Sequence, residues 1–523
     1  MKERRFENFK LLNRYITGYY HPKVQAITYS SERLIKAKRD SILITFVYIS
    51  FLIVTQVLRI IYSELSESMF ITNNIVFTFF VGINIYSLKG KKRWLLNPLF
   101  LASLKMFLLA YGLTIFYIYA EGKPITEYLE VKNPFDYLNN GMIFASIGFI
   151  SMWYSYHSNF VKRIAFAIFN LITLQKKLLH ADFTPNWFLV IAFFIISIVF
   201  KLILISFGVY GVIGTISPSE FEIPYLQYII TLSSISSIAV LFVSIYFFKT
   251  NKNKLLFLTI FLIDLFFSII SGFKGAIVMS FVVLGISYYV AHGKIKYLYL
   301  LIAISSIGFA YAIIEPYRQY IQKNINTDKN SLSGITESFI KSYRGVDVKK
   351  QESDNYEIFR RLNFLPELVK FQNYKNEHGL TEDDPDFIYI TLTTPLQIFT
   401  PRFLWKDKPK SDLGVWWVTQ RVFGMNEVNS SSAFGPIGFL YLTGGTFAII
   451  IGFIIIGFIL QLTYLFLNSR YWGGIFIALA LLSRAIELEA GFNFYIIGFV
   501  HILIFSIIFQ YFVLKTHTKI KYK

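Results

Sequence analysis

Apolar residues run through the chain in long blocks rather than in alternation. About twelve stretches approach the ~20 residues that a helix needs to cross ~30 Å of hydrocarbon. They fall at approximately 41–61, 70–88, 95–119, 140–157, 186–208, 224–248, 255–271, 276–291, 297–315, 436–466, 472–488 and 493–514. The pattern predicts an all-α polytopic membrane protein with about 12 transmembrane helices. Gly435, Gly438, Gly444 and Gly445 interrupt the tenth stretch, which predicts a re-entrant start ahead of a true span. One connection, 316–433, is far longer than the rest, and a structureless loop of that length is rare in a compact protein. Within it Ile358, Leu362, Leu365 and Val369 recur at helical spacing, with Arg360, Arg361, Glu367 and Lys370 off the stripe. An amphipathic helix is expected there, packed on the membrane face or on the helix bundle. The predicted organisation is a basic N-terminus (1–40), nine spans (41–315), a large partly helical loop (316–433), three spans (434–514) and a basic tail (515–523).

Composition narrows the class. Of 523 residues 54% are hydrophobic and 16% charged, and 55 Phe, 35 Tyr and 7 Trp crowd the chain. A soluble fold has too little polar surface to cover such a content, and a disordered chain lacks it altogether. The absence of cysteine excludes disulfide frameworks, thiolate metal sites and cysteine nucleophiles. A net charge of +19 on a soluble protein would suggest nucleic acid, but here the cations report orientation. Of the 51 lysines and arginines, 28 fall on the N-terminus, the tail and the short connections of one side, against three on the short connections of the other. Both termini are therefore expected in the cytoplasm and the large loop outside, with the first span retained rather than cleaved.

Charges within apolar stretches are costly and tend to be functional. Lys105, Lys201, Asp264, Arg484 and Glu487 are the candidates. The two lysines read as snorkelling side chains. Arg484 and Glu487, three apart on one helix face, read equally as a structural pair or as a site. Lys274 stands in Ser271-Gly272-Phe273-Lys274-Gly275-Ala276, a turn too short for an ordinary loop; it reads as a lysine snorkelling to headgroups or, the favoured reading, as a fixed positive charge aimed at a lipid-linked phosphate. Glu315-Pro316-Tyr317-Arg318 closes the ninth stretch. Thr400-Pro401-Arg402-Phe403-Leu404-Trp405-Lys406-Asp407-Lys408-Pro409-Lys410 brackets cations and aromatics between prolines. Arginine there can grip phosphate oxygens in bidentate fashion, and anionic lipid would hold the same loop equally well. Tyr317, Trp405, Trp416 and Trp417 suit the interfacial belt. The acidic run Glu382, Asp383, Asp384 and Asp386 reads as a solvated turn rather than a cation site. No phosphate loop, HExxH or GxSxG is present, the seven histidines are scattered, and no metal or cofactor is expected.

These residues resemble those of bacterial oligosaccharide repeat-unit polymerases, the O-antigen (Wzy-type) polymerases. The shared features are Lys274 between glycines, Tyr317-Arg318, the Pro401-Arg402 to Lys408-Pro409 segment, and Phe434-Gly435-Pro436-Ile437-Gly438-Phe439-Leu440-Tyr441 at the next span. The specific likeness covers roughly 271–318 and 360–445. It implies a GT-C-like, C-type glycosyltransferase fold in the bacterial cytoplasmic (inner) membrane, with the large loop periplasmic or otherwise extracytoplasmic. It implies inverting, metal-independent transfer between undecaprenyl-diphosphate-linked glycans serving as donor and acceptor. Membrane lipids, a chain-length regulator and a flippase are the implied partners, and nucleic acid is not. Members often carry a Glu in the Gly-x-x-Tyr stretch, where this chain has Phe439.

In that reaction an acceptor hydroxyl attacks the anomeric carbon and the diphosphate leaves. Cations aimed at the growing charge contribute ~10²–10³-fold each. Lys274, Arg318, Arg402 and Lys408 are the first candidates for diphosphate binding, with Arg360, Arg361 and Arg484 second. Arg318 and Arg402 also count as catalytic. Glu315, Asp407, Glu427 and Glu487 are the candidate bases, Glu427 and Glu487 foremost. A ligase on the same scaffold and a lipid-linked glycan transporter or flippase are the alternative functions.

Overall fold

The structure, a computed structural model, describes residues 31–89, 93–122, 129, 131–173, 185–211, 226–323, 330–344, 362–400, 404–405, 407–409, 413–422, 424, 435–469, 472–485, 487 and 491–513. Residues Met1–Ile61 form one compact unit and Tyr62–Lys523 another. In the first, helix α1 (Ser31–Ile61) is apolar enough to cross a membrane over Ser41–Ile61.

Among the described residues the regular elements of the second unit are all helices, joined by short turns. It opens with α2 (Ser66–Tyr86) and α3 (Pro98–Ala102), which runs on as a π-helical segment over Ser103–Gly112, followed by α4 (Thr114–Glu121). Next come α5 (Pro134–His157), α6 (Asn159–Thr173), α7 (Trp187–Ser206), α8 (Leu226–Ser233), α9 (Ile235–Thr250), α10 (Lys254–Ile270), α11 (Lys274–His292) and α12 (Tyr297–Lys323). The long loop contributes α13 (Leu332–Arg344), α14 (Leu365–His378), α15 (Phe387–Phe399) and a second π-helical segment, Gly414–Val422. The chain closes with α16 (Pro436–Leu467), α17 (Trp472–Ala485) and α18 (Phe492–Val513).

Among the described residues eight helices are long and apolar enough to cross a membrane, or nine if the pair bent by 45° at Leu113 is one span. The chain is thus a membrane-embedded helical protein. The other three expected spans are helices that fall short of that standard. α5 has the length but carries Asn139, Asn140, Ser146 and Ser155, while α10 has 17 residues and α17 only 14.

α16 lies at the centre of one half of the unit, packed against α5, α6 and α17. Small residues allow the close approach. A Cβ on Gly148 would stand 3.1 Å from the Phe453 ring, and one on Gly457 only 2.6 Å from the Met152 carbonyl oxygen. Aromatic rings fill the space between α5, the first π segment and α16. Phe107 meets Phe149 at 5.2 Å and Phe453 at 5.5 Å between centroids, so many of the aromatics are core. The expected interruption of α16 is present. Gly445 adopts φ 59°, which a side chain would strain, and it separates 436–443 from 446–467, a 22-residue length of ~33 Å that matches a span.

In the other half α9 packs on α7, α10 and α11, and α11 on α12. α8 and α9 are broken at Ser234, and the break is repaired from α7. The Ser197 hydroxyl donates to Ser233 O (2.6 Å) and accepts from the Ser236 N–H (2.9 Å). Lys201 does not snorkel. Its Nζ lies 3.0 Å from Asp264 Oδ1, both side chains are buried, and the Ser236 hydroxyl donates to the same carboxylate at 2.8 Å. The carboxylate of α10 lies within the reach of Lys201, so the ammonium is satisfied without leaving the bundle.

The loop helices dock back on the spans. α13 packs on α12, α14 on α5 and α16, and α15 on α18 and α16. The expected amphipathic helix is α14, and it chooses the bundle. Leu365, Leu368 and Val369 are fully buried, and a Cβ on Gly141 of α5 would strike Leu365 at 2.5 Å. The helix starts later than the apolar spacing suggests, with Leu362 half-buried ahead of it and Ile358 outside the described residues.

Candidate functional site

α15 has 13 residues, ~20 Å of helix, too short to cross a bilayer. Phe387 at its start meets Phe439 at 5.6 Å, and Thr391 meets Thr443 of α16 at 3.3 Å. At its far end a ring nitrogen of His501 lies 3.0 Å from Ile398 O. His501 is nine residues into α18, about 13 Å along that span, so α15 descends beside α18 and stops partway. One side of α15 exposes Ile388, Leu392, Leu396 and Phe399, while Ile390, Thr394, Gln397 and Ile398 are buried. Lys408 returns to the end of this half-helix and donates to Gln397 O (2.8 Å) and Thr400 O (3.0 Å). A buried ammonium there satisfies carbonyls that the helix leaves open and offsets the negative end of its dipole.

α17 is likewise short, and its last turn carries Arg484, ion-paired with Glu487. The Arg484 side chain runs 3.5 Å from where a Cβ of Gly498 would stand, one turn from His501. Tyr495 of α18 donates to Ala485 O at 3.2 Å, which fixes the junction. Lys408, Arg484 and Glu487 thus gather about His501, on which both cations act electrostatically. His501 was missed in the sequence; its signal was a histidine inside an apolar stretch. Lys408 serves the end of α15 rather than presenting a bare ammonium.

Lys274 opens α11, buried, with Nζ 2.6 Å from Glu315 Oε2 and 3.8 Å from the centre of the Tyr311 ring. Arg318 follows one turn beyond Glu315 on α12. The fold therefore joins Lys274, Glu315 and Arg318, but Lys274 carries a counter-ion and a ring face. Tyr317 and Trp417 belong to the core instead of an interfacial belt. Tyr317 packs on Phe339 of α13, and Trp417 packs between Phe371 and Phe387.

The acidic run is a solvated turn at Glu382, Asp383 and Asp386, as expected, but Asp384 is buried and folds the turn. Asp384 accepts from Trp417 Nε1 (2.8 Å), Thr381 N (2.8 Å), Thr381 Oγ1 (2.9 Å) and Tyr374 Oη (3.0 Å). Burial alone would raise its carboxyl pKa, but these hydrogen bonds to the charged form outweigh burial and hold it below the ordinary value. Asp386 caps α15 by accepting from Tyr389 N (2.9 Å), and Asp383 pairs with Arg421 at 3.1 Å. Beside this turn Asp386, Tyr389, Asp407 and Pro409 border an open cleft of about 240 Å³. Among the described residues no three His, Asp or Glu side chains converge as a metal site would need.

The carboxylate least expected is Glu367, at the start of α14. The residue is half-buried, yet Oε2 is sealed and has no hydrogen-bond partner in the protein. Burial pushes its carboxyl up to about 8, opposed by its own backbone N–H and by Lys370. A lone Glu off an apolar stripe reads as a solvent-facing residue, and only the docking of α14 buries it. Arg360, Arg361, Arg402 and Glu427 lie outside the described residues.

Fold and site together define a membrane-embedded helical protein whose long loop folds onto its spans around buried and half-buried charges. The chain belongs to the family described as domain of unknown function DUF8712, whose model matches residues 178–520. No curated protein and no solved structure matches the chain.

Proposed function

We propose that this protein is a polysaccharide polymerase of the O-antigen or capsule type. It joins polyprenyl-diphosphate-linked repeat units at the outer face of the bacterial cytoplasmic membrane by inverting, metal-independent glycosyl transfer. In this reading the fold is GT-C-like, the three shorter helices complete twelve membrane helices, and both termini are cytoplasmic. One observation carries it. The exposed apolar side of α15 runs to Phe399, beside a helix end where Lys408, Arg484, Glu487 and His501 gather. A lipid-linked glycan diphosphate has the matching chemistry: its anionic head suits the cations at the end of α15, its hydrocarbon tail the surrounding apolar surface, and its sugar the cleft of Asp386, Tyr389 and Asp407. Lys274 and Arg318 supply a second cationic group, with Glu315 between them in sequence.

A transporter of lipid-linked glycans is the second reading. The half-helix α15, the breaks at Ser234 and Gly445 and the buried Lys201–Asp264 pair favour it, since interrupted helices and intramembrane charges are common in transporters. Incubation of the purified protein with synthetic polyprenyl-diphosphate repeat units, with and without chelator, followed by product sizing, separates the readings. A ladder of repeat lengths is expected. Transfer only to a foreign acceptor identifies a ligase, and translocation across vesicles without new glycosidic bonds identifies a transporter.

A further inference from the structure

The cleft at the start of α15 lies between two stretches of backbone that the fold pins. On one side Asp384, gripped by Trp417, Thr381 and Tyr374, fixes the turn that presents Asp386. On the other the Lys408 ammonium is drawn to Gln397 O and Thr400 O, and the Lys408 N–H donates to Trp405 O at 3.1 Å. Its sequence neighbours Asp407 and Pro409 are thereby placed at the cleft, and Tyr389, Ile390 and Leu413 complete the wall. The volume of about 240 Å³ equals the share of about eight water molecules in the liquid, and it suits one pyranose ring with its hydroxyls. The charge of the lining is the unexpected part. The segment from Arg402 to Lys410 is rich in cations, yet the described residues at the cleft include two aspartates and no lysine, arginine or histidine. Asp386 gives one oxygen to the Tyr389 N–H (2.9 Å), and among the described residues neither carboxylate accepts a further hydrogen bond. Asp386, Tyr389 and Asp407 are all exposed, so the cleft is open to a ligand.

We propose that this cleft is the subsite for a non-acidic sugar of the repeat unit, one whose hydroxyls or amine donate to Asp386 and Asp407 while its C–H face lies on Tyr389, Ile390 and Leu413; this rests on the reading of the substrate as a lipid-linked glycan. An ionised carboxylate accepts hydrogen bonds and donates none, so two of them select a ligand rich in donors. A pyranose carries hydroxyl donors around its edge and an apolar face, and the lining offers a partner to each. A uronic acid or another anionic sugar would bring a third negative charge between walls of the same sign, and it would replace a donor by an acceptor. Repulsion and lost hydrogen bonds then act together against it. An amino sugar meets the opposite field. The same charges also orient the substrate. Lys408 turns its ammonium away from the cleft to the far end of α15, so the diphosphate is repelled at one end of that helix and attracted at the other. Because both aspartates stand on pinned backbone, little ordering is needed when the sugar binds.

The test uses the full chain in lipid nanodiscs and three synthetic polyprenyl-diphosphate disaccharides that differ only in their rings: both glucose, both glucosamine or both glucuronic acid. Native mass spectrometry reads binding, and product sizing reads chain growth. The glucose and glucosamine probes are expected to bind roughly 10-fold or more tightly than the glucuronic acid probe. Tighter binding of glucosamine assigns the donor to an amine, and parity with glucose assigns it to hydroxyls. Asp386→Asn/Asp407→Asn keeps the shape of both side chains and the cap of α15, since asparagine accepts from the Tyr389 N–H as aspartate does, and it should erase or reverse the preference. Tyr389→Ala removes apolar wall without changing charge, so it should weaken all three probes alike. A thermal melt should find each variant folded. If glucuronic acid binds as well as glucose, or the double variant keeps the wild-type preference, the inference fails, and growing chains would leave the polymerase reading standing. If the preference and its loss are both found while the probes cross vesicle bilayers with no new glycosidic bond, the polymerase reading fails and the cleft stands as the glycan subsite of a transporter.

Discussion

Asp264→Ala is the most informative single change in the bundle. It leaves the Lys201 ammonium among apolar helices with no counter-charge 3.0 Å away, and it takes the acceptor from the Ser236 hydroxyl. Breaking a buried pair from one side costs ~3–5 kcal/mol, with about 1 kcal/mol more for the stranded hydroxyl. Both side chains are less than a tenth exposed, so solvent screening does little to soften the loss. Lys201→Met should cost a similar amount, because Asp264 would keep only Ser236. The double variant Lys201→Met/Asp264→Leu removes both charges and keeps the volume, and it should return to within ~1 kcal/mol of the wild type or exceed it. Denaturant unfolding in mixed micelles, read as a double-mutant cycle, measures the coupling. If Asp264→Ala alone falls within ~1 kcal/mol of the wild type, Lys201 reaches the headgroups and the buried pair is refuted. If the double variant is stable but inactive, the pair serves function as well as packing.

Three further outcomes follow from local geometry. Asp384→Ala strands the Trp417 N–H, the Tyr374 hydroxyl and two Thr381 donors, so it should cost ~2–4 kcal/mol and shift Trp417 fluorescence to the red. Because the Asp384 carboxyl is held below the ordinary value, its contribution is complete above about pH 4 and fades as pH falls through the lowered folded value; an acid titration of that fluorescence checks the sign. Gly438→Ala puts a Cβ 2.8 Å from the Phe371 ring, so α14 must shift at ~1–3 kcal/mol, read as faster protease cleavage of the loop. Lys408→Met leaves the Gln397 and Thr400 carbonyls without their donor and should lower the melting temperature, at ~1–3 kcal/mol. Unchanged stability with lost lipid-diphosphate binding would instead give that ammonium to the substrate.

The membrane character and most spans were legible because one-dimensional hydropathy is enough to find a helix that must satisfy its own backbone in lipid. α10 was legible at its 17-residue length, whereas α17 ends at Ala485, earlier than its apolar stretch suggests, where Arg484 meets Glu487. The break in α16 was legible from glycine spacing, because a glycine such as Gly445 is what a positive φ demands. The i,i+3 pair Arg484–Glu487 was legible from spacing, but the long-range pairings were not. Lys201 and Asp264 are 63 residues apart, and Lys274 and Glu315 are 41, so no local rule joins them. Within the solvated acidic turn only Asp384 departs from the expectation, for the same reason: its partner Trp417 arrives from 33 residues away. The burial of Glu367 was not legible, because it comes only when α14 docks on the bundle beside Tyr111 of the bent span.

That dependence bears on how the family match is to be understood. The match begins at residue 178, yet the helix most closely packed on α16 is α5, at Pro134–His157. The contacts are close ones: Gly148 under the Phe453 ring, Gly457 against Met152 O, and the Ser155 hydroxyl donating to Ile454 O at 2.7 Å. α14, inside the match, buries Leu365 against Gly141 and hangs its first turn on Ala110 O, both outside it. Removing residues before 178 would expose an apolar wall of α16 and leave the Phe364 N–H without its Ala110 acceptor. The matched segment is therefore not a self-contained fold in this chain. Differences in the helices that precede it would alter the surroundings of Glu367 and Asn363 without touching a residue of the matched region.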